Sequence, residues 1–190
     1  MEFSRDGRFL AVNGTGHNGV AELTSPRRYR HQLFGTGGDG GRPLAIDPTG
    51  RIIAAGGPGA GVDLWDTAGF TRLRTLRADD EQEQLSLAAF TPDGGILAAA
   101  GTSGRVWLWR PAAERPLGVP VPLHAGPVLA LAFTADGRTL HSLGADGVLN
   151  SLPVHPALAA ADICRRIGAA KLSREEWTRI LPEVDHREIC

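Results

Sequence analysis

Phe133-Thr134-Ala135-Asp136-Gly137-Arg138-Thr139-Leu140-His141 has three counterparts upstream. They are Phe3-Ser4-Arg5-Asp6-Gly7-Arg8-Phe9-Leu10-Ala11, Ile46-Asp47-Pro48-Thr49-Gly50-Arg51-Ile52-Ile53-Ala54 and Phe90-Thr91-Pro92-Asp93-Gly94-Gly95-Ile96-Leu97-Ala98. Their first residues, Phe3, Ile46, Phe90 and Phe133, stand 43, 44 and 43 residues apart. In each copy an apolar residue ends one strand, an Asp-Gly or Thr-Gly turn follows, and an apolar strand leaves it. Glycine relieves the strain of a positive φ, and aspartate bonds back to the local backbone. A tight hairpin recurring at a fixed period marks a repeat architecture, in which a single unit cannot bury its apolar faces alone.

A further strand follows each turn. Val62-Asp63-Leu64-Trp65-Asp66 and Val106-Trp107-Leu108-Trp109-Arg110 start 16 residues after Ile46 and Phe90, and Leu149-Asn150-Ser151-Leu152 starts 16 after Phe133. Val20-Ala21-Glu22-Leu23 fills this place in the first copy, with one extra residue in its loop. The period of two puts Val62 and Leu64 on one face and Trp65 on the other, and Trp109 likewise opposes Val106 and Leu108, as expected if both faces are buried. Leu85 to Phe90 and Val128 to Phe133 read as strands ahead of their turns. Gly35 to Gly41, Ala78 to Glu83 and Pro111 to Pro122, rich in Gly, Pro and charge, read as exposed loops.

These residues resemble the WD-repeat β-propeller family over roughly residues 1–153. His124-Ala125-Gly126-Pro127-Val128 through Asp136-Gly137 is similar to the family's opening motif, and Trp65-Asp66 is the one Trp-Asp pair. Trp109-Arg110 keeps the Trp, while Leu23-Thr24 and Leu152-Pro153 keep neither residue. The resemblance implies an all-β fold: a partial propeller of about four blades, the first incomplete, over 1–153, and a short α-helical tail over 154–190. It also implies structural roles for Asp6, Asp93 and Asp136 in the turns, for Trp65, Asp66 and Trp109, and for a buried hydrogen-bonded set of His124, Ser142 and Asp146. Leu152 replaces the Trp of that set. The matching places hold Ala99, Ser103 and Trp109 in the third repeat and Ala55, Gly59 and Trp65 in the second, so no repeat has the full set.

Propellers close with 4–8 blades, and Met1 lies only two residues before the first motif. The chain therefore reads as the C-terminal part of a larger propeller whose remainder is missing or separately encoded. Self-association covering the open edges and a shortened gene product are the alternatives.

After Pro156, Ala157 to Ile167 is free of helix breakers, and Ser173 with Glu176 forms a capping box for a second short helix through Trp177, Ile180 and Leu181. Ile163-Cys164, Leu172-Ser173, Glu176-Trp177, Leu181-Pro182 and Cys190 resemble the closing segment of large actinobacterial WD-repeat proteins. That resemblance implies a sensor or docking part of a bacterial signalling or regulatory protein. Cys164 and Cys190 are a candidate thiol pair. The bland reading is a helix-face thiol packed near Trp177 and a loose terminal residue.

Composition removes several classes. A net charge of -1 gives no electrostatic argument for nucleic acid or an anionic membrane, and 25 Gly with 13 Pro favour turns and short strands. There is no signal-peptide pattern and no membrane-length apolar run, so the expected compartment is the cytoplasm. Two cysteines make neither a disulfide framework nor a four-ligand zinc set. Gly14-Thr15-Gly16-His17-Asn18-Gly19 fits a dinucleotide fingerprint literally, but a strand follows where that site needs a helix. The six histidines form no metal-binding pair, the basic run Arg27 to His31 reads as a solvated loop, and there is no nucleophile elbow. The expectation is a non-enzymatic interaction scaffold or sensor that needs no cofactor, takes protein or peptide on the tight-loop face, and bears neither nucleic-acid nor membrane sites. An enzymatic propeller with a central-channel site, or a fragment without independent function, is the alternative.

Overall fold

A computed structural model describes residues 2–4, 6–14, 17–23, 28–30, 43–57, 59–78, 83–113, 116–167, 175 and 179. The described strands form four antiparallel sheets. Blade one holds β1 (Glu2–Phe3), β2 (Phe9–Gly14), β3 (His17–Glu22) and β4 (Arg28–Arg30). Blade two holds β5 (Pro43–Ile46), β6 (Ile52–Gly56), β7 (Gly61–Asp66) and β8 (Arg72–Arg77). Blade three holds β9 (Leu85–Phe90), β10 (Leu97–Gly101), β11 (Arg105–Trp109) and β12 (Val121–Pro122). Blade four holds β13 (Val128–Phe133), β14 (Thr139–Gly144) and β15 (Leu149–Pro153), and α1 (Pro156–Ile167) follows it. Each sheet is a meander in chain order. The expected all-β, partial WD-type propeller is what the structure shows, with β1 only two residues long.

The sheets stack face to face, and the period of two decides which junction each side chain enters. Ala54, Val62, Leu64 and Leu76 of blade two meet Leu97, Ala99, Trp107 and Trp109 of blade three. The alternate residues turn the other way. Ile53, Ala55 and half-buried Trp65 pack against Ala11 and Val20 of blade one. Ala98, Ala100 and Val106 pack against Val128 and Leu140 of blade four. Middle strands buried on both faces carry apolar runs such as Leu97-Ala98-Ala99-Ala100.

Three expectations need correction. In blade one, Phe9 and Leu10 pair with Glu22 and Ala21, as Ile52 and Ile53 pair with Asp66 and Trp65. Ala21-Glu22 therefore occupies the Trp-Asp position, two residues before Leu23-Thr24. The cause is a tighter hairpin, whose last rung is Gly14 to His17, against Gly56 to Val62 in blade two. The stretch from Pro111 to Pro122 contains β12 and a bridge from Trp109 to Pro116, so part of it is sheet. Glu83, placed in an exposed loop, is buried. Gly35 to Gly41 lies outside the described residues.

In the tail, α1 packs on β15, and Glu175 and Arg179 are helical. Ser173, Glu176, Trp177, Ile180 and Leu181 lie outside the described residues. Cys164 is disulfide-bonded. Cys190, the chain's only other cysteine, also lies outside them.

Candidate interaction surface

The turns at one end of the blades share one hydrogen-bonded design. Ser4, Thr91 and Thr134 donate their hydroxyls to Asp6, Asp93 and Asp136 at 2.6 Å each. The same carboxylates accept the backbone N–H of Arg8, Gly95 and Arg138 at 3.0, 2.9 and 3.0 Å. Blade two exchanges the roles. Asp47 accepts the Thr49 hydroxyl at 2.5 Å and the N–H groups of Arg51 and Ile52 at 2.7 Å each. The turn glycines Gly7, Gly50, Gly94 and Gly137 have φ between 69° and 72°, the left-handed conformation that favours glycine.

Those hydroxyls first, and the N–H groups second, hold Asp6, Asp93 and Asp136 below the ordinary carboxylate value of 3.8. A carboxyl lowered by folding binds fewer protons in the folded state. Its stabilisation is full above the unfolded value and is lost as pH falls through the lowered folded one. The triple variant Asp6→Asn/Asp93→Asn/Asp136→Asn therefore has a urea midpoint that falls less than wild type's between about pH 5 and about pH 2.5. Parallel pH profiles would contradict this role.

At the opposite end of blade four, His124 Nε2 lies 2.9 Å from Ser142 Oγ and His124 Nδ1 lies 3.2 Å from Asp146 Oδ1. The Ala125 N–H donates to the same aspartate at 3.1 Å. His124 and Ser142 are buried. A β-carbon at Gly144 would lie 2.3 Å from His124 Nδ1, so glycine lets the ring lie against β14. The set ties the segment before β13 to the β14–β15 hairpin. His124→Ala leaves Ser142 Oγ buried without this partner and costs about 1–3 kcal/mol in urea unfolding.

Sequence reasoning missed the counterpart in blade three. Gly101 stands where Gly144 does, and Glu83 takes the place of His124: its Oε1 accepts the Ser103 N–H at 3.3 Å and the Thr102 hydroxyl at 3.4 Å. The usable signal was the pair of glycines 43 residues apart. Trp109 is fully buried, and its indole N–H makes no hydrogen bond among the described residues. Trp65 is half-buried on the blade one–two junction. Asp66 accepts the Gly69 N–H at 2.7 Å, beside Phe70, whose side chain enters that junction from a φ of 52°.

Between the tight turns and the innermost strands β1, β5, β9 and β13 runs a groove of about 530 Å³. Phe3, Phe90, Phe133, Ile46 and Leu131 supply its apolar bulk, and Ala88, Ala89, Ala132 and Ala135 keep it open. Pro48, Pro92 and Thr134 bring the turns to its rim. Its lining contains no titratable side chain, so the surface is suited to holding apolar groups and offers no acid or base of its own. Among the described residues no cluster of three or more His, Cys, Asp or Glu could hold a metal ion.

Residues 70–110 match the family model described as WD domain, G-beta repeat. Those residues are a WD-type repeat by this match. The chain is 34% identical over 109 residues to transducin beta-like protein 3 of Bos taurus, a match covering 55% of this chain and 13% of that protein. Telomerase protein component 1 of Rattus norvegicus is 32% identical over 96 residues, covering 50% of this chain and 4% of the other. The chain thus spans a small part of these WD-repeat relatives. A chain in a crystal structure of the mitotic checkpoint complex superposes with a TM-score of 0.68 at 22% identity, covering 80% of this chain and 46% of that one. That likeness concerns the fold. WD-repeat proteins generally act as interaction scaffolds, and no described helix is long and apolar enough to cross a membrane.

Proposed function

We propose that this chain is a protein- or peptide-binding module, acting as the scaffold or sensor part of a larger bacterial regulatory protein in the cytoplasm. The observation that carries the reading is the groove on the tight-turn side, built from the innermost strands, with apolar side chains and backbone lining it and no titratable group among them. Apolar lining with small residues at its floor accepts aromatic or aliphatic side chains of an incoming segment, and the turn residues at the rim supply polar contacts. The same lining supports a non-enzymatic role, since chemistry at the channel needs groups that move protons or electrons.

The structural role of the Asp6, Asp93 and Asp136 turns is to hold this rim rigid, and His124, Ser142 and Asp146 hold the opposite end of blade four. We assign Cys164 and Cys190 to one bridge that pins the terminal segment to α1. Two freely alkylated thiols in the purified native protein would end that assignment.

Selection of random displayed peptides on the purified chain tests the function. The expected result is enrichment of segments with two or more aromatic or aliphatic residues. Enrichment of purely acidic or basic segments would contradict the groove as the site.

A further inference from the structure

The pockets between neighbouring turns differ in charge. Between blades three and four, a pocket of about 250 Å³ has Asp93 and Asp136 at its rim, with Arg138 and His155. Between blades one and two, a pocket of about 230 Å³ has Arg8 and Arg51 at its rim, and Thr49 stands at the repeat position of Asp136. The exchanged roles of the blade-two turn cause this reversal. Its carboxylate, Asp47, is buried, and the exposed place goes to the Thr49 hydroxyl. Half-buried Glu22 is the carboxylate of the described lining, and it has a partner of its own. Arg8 and Arg51 are exposed, and neither side chain forms a salt bridge among the described residues.

The packing at this junction also departs from the repeat. A β-carbon at Gly94 or Gly137 would lie 3.6 or 3.2 Å from Pro48 or Pro92 of the preceding turn. Blade one has Arg5 at that sequence position, and the Phe9 ring approaches Gly50 instead, 3.0 Å from a β-carbon placed there. The same ring carries Arg8, whose guanidinium carbon lies 5.7 Å from its centroid, a cation–π distance. Phe70 completes the apolar wall with Val20. Its φ of 52° is an outlier for a bulky side chain, and strain of this kind collects where ligands are held.

We propose that this pocket binds a phosphoserine or phosphothreonine side chain of a partner protein. The two guanidinium groups are the unmatched charges of the site. Guanidinium forks bind phosphate oxygens in pairs, and a phosphorylated side chain brings about 1.5–2 negative charges near neutral pH. A volume below the roughly 300–1,000 Å³ of small-molecule sites suits one such side chain. Phe9, Val20 and Phe70 offer apolar contact to its neighbour in the segment. A net charge of -1 draws the chain to no anionic lipid surface, which favours a protein as the source of the phosphate. The pocket shares no residue with the apolar groove, so the inference goes beyond the groove's ligand.

Fluorescence anisotropy with three labelled pools of short peptides tests it. The pools are degenerate around a fixed centre: phosphoserine with phosphothreonine, glutamate, or serine with threonine. The wild type binds the phosphorylated pool at least about tenfold more tightly than either other pool. Arg8→Gln and Arg51→Gln each weaken that binding at least about tenfold. Both side chains are exposed, so both variants keep the far-ultraviolet circular dichroism of the wild type. Arg138→Gln, in the pocket bearing two carboxylates, leaves the binding unchanged, as does Ala132→Glu in the groove. The two sites therefore stand or fall separately. Binding weakens between about 50 and about 500 mM salt, and again as pH falls below about 6, where phosphate loses its second charge. Equal affinity for the glutamate pool or the unmodified pool overturns the proposal, and so does an equal loss in Arg138→Gln. Arginine-dependent binding to phosphatidylinositol-phosphate vesicles, with none to the phosphorylated pool, assigns the pocket to a membrane and overturns it as well.

Discussion

Trp109→Ala lowers the stability of the chain by about 3–5 kcal/mol, the range for removing a fully buried large aromatic residue. Trp109 sits at 0% exposure in the junction between blades two and three, among Leu64, Leu76, Leu97 and Trp107. Removing it opens a cavity between two sheets whose backbones are each held by their own ladders, so the walls cannot collapse far. Trp109→Phe separates packing from polarity. The indole N–H makes no hydrogen bond among the described residues, so phenylalanine loses volume without leaving a broken bond, and its cost is well below that of alanine. Urea midpoints of the two variants check this. Equal losses would mean that the indole nitrogen has a partner that matters.

Gly101→Ala is the second large effect, and its cause is a backbone collision. A β-carbon at Gly101 would lie 1.8 Å from the Gln84 carbonyl oxygen and 2.5 Å from Glu83 Oε1. Strand pairing shifts register here, between Ala100 and Gly101, where β9 begins. An added methyl must push the entire start of β9 off β10, and with it the Glu83 carboxylate that holds the loop at Ser103. Overpacking in a core costs typically about 1–3 kcal/mol, occasionally more. A contact this short against backbone belongs at or above the upper end. Gly118→Ala serves as the control, because a β-carbon there meets nothing within 4 Å. Thermal unfolding that leaves both variants alike would refute the collision.

Much of this architecture was legible because it repeats. The spacing of Phe3, Ile46, Phe90 and Phe133 locates the four hairpins, and alternation in Val62-Asp63-Leu64-Trp65 assigns side chains to opposite junctions. Local hairpin length was not legible. Leu23-Thr24 was placed at the Trp-Asp position by counting residues, whereas pairing puts Ala21-Glu22 there, because ladder register depends on turn geometry that glycine-rich sequence leaves free. Glu83 illustrates a different limit. A charged residue in a polar stretch reads as solvated, and only the fold shows it buried beside Ser103 and Gly101. The groove is not legible in the sequence for the opposite reason: Ala88, Ala89 and Ala132 look like ordinary strand filler until the four innermost strands converge.

Calorimetric titration of a selected peptide into the wild type, Ala132→Glu and Leu73→Glu tests binding at the groove most directly. Ala132 lines the groove, and Leu73 is an exposed residue on β8, outside its lining. The wild type binds with a negative heat-capacity change, and with affinity nearly constant between about 50 and about 500 mM salt. Ala132→Glu binds at least about tenfold more weakly, from the carboxylate buried against apolar partners, and Leu73→Glu is unchanged. Binding that survives Ala132→Glu, or that salt abolishes, would contradict the groove as the site.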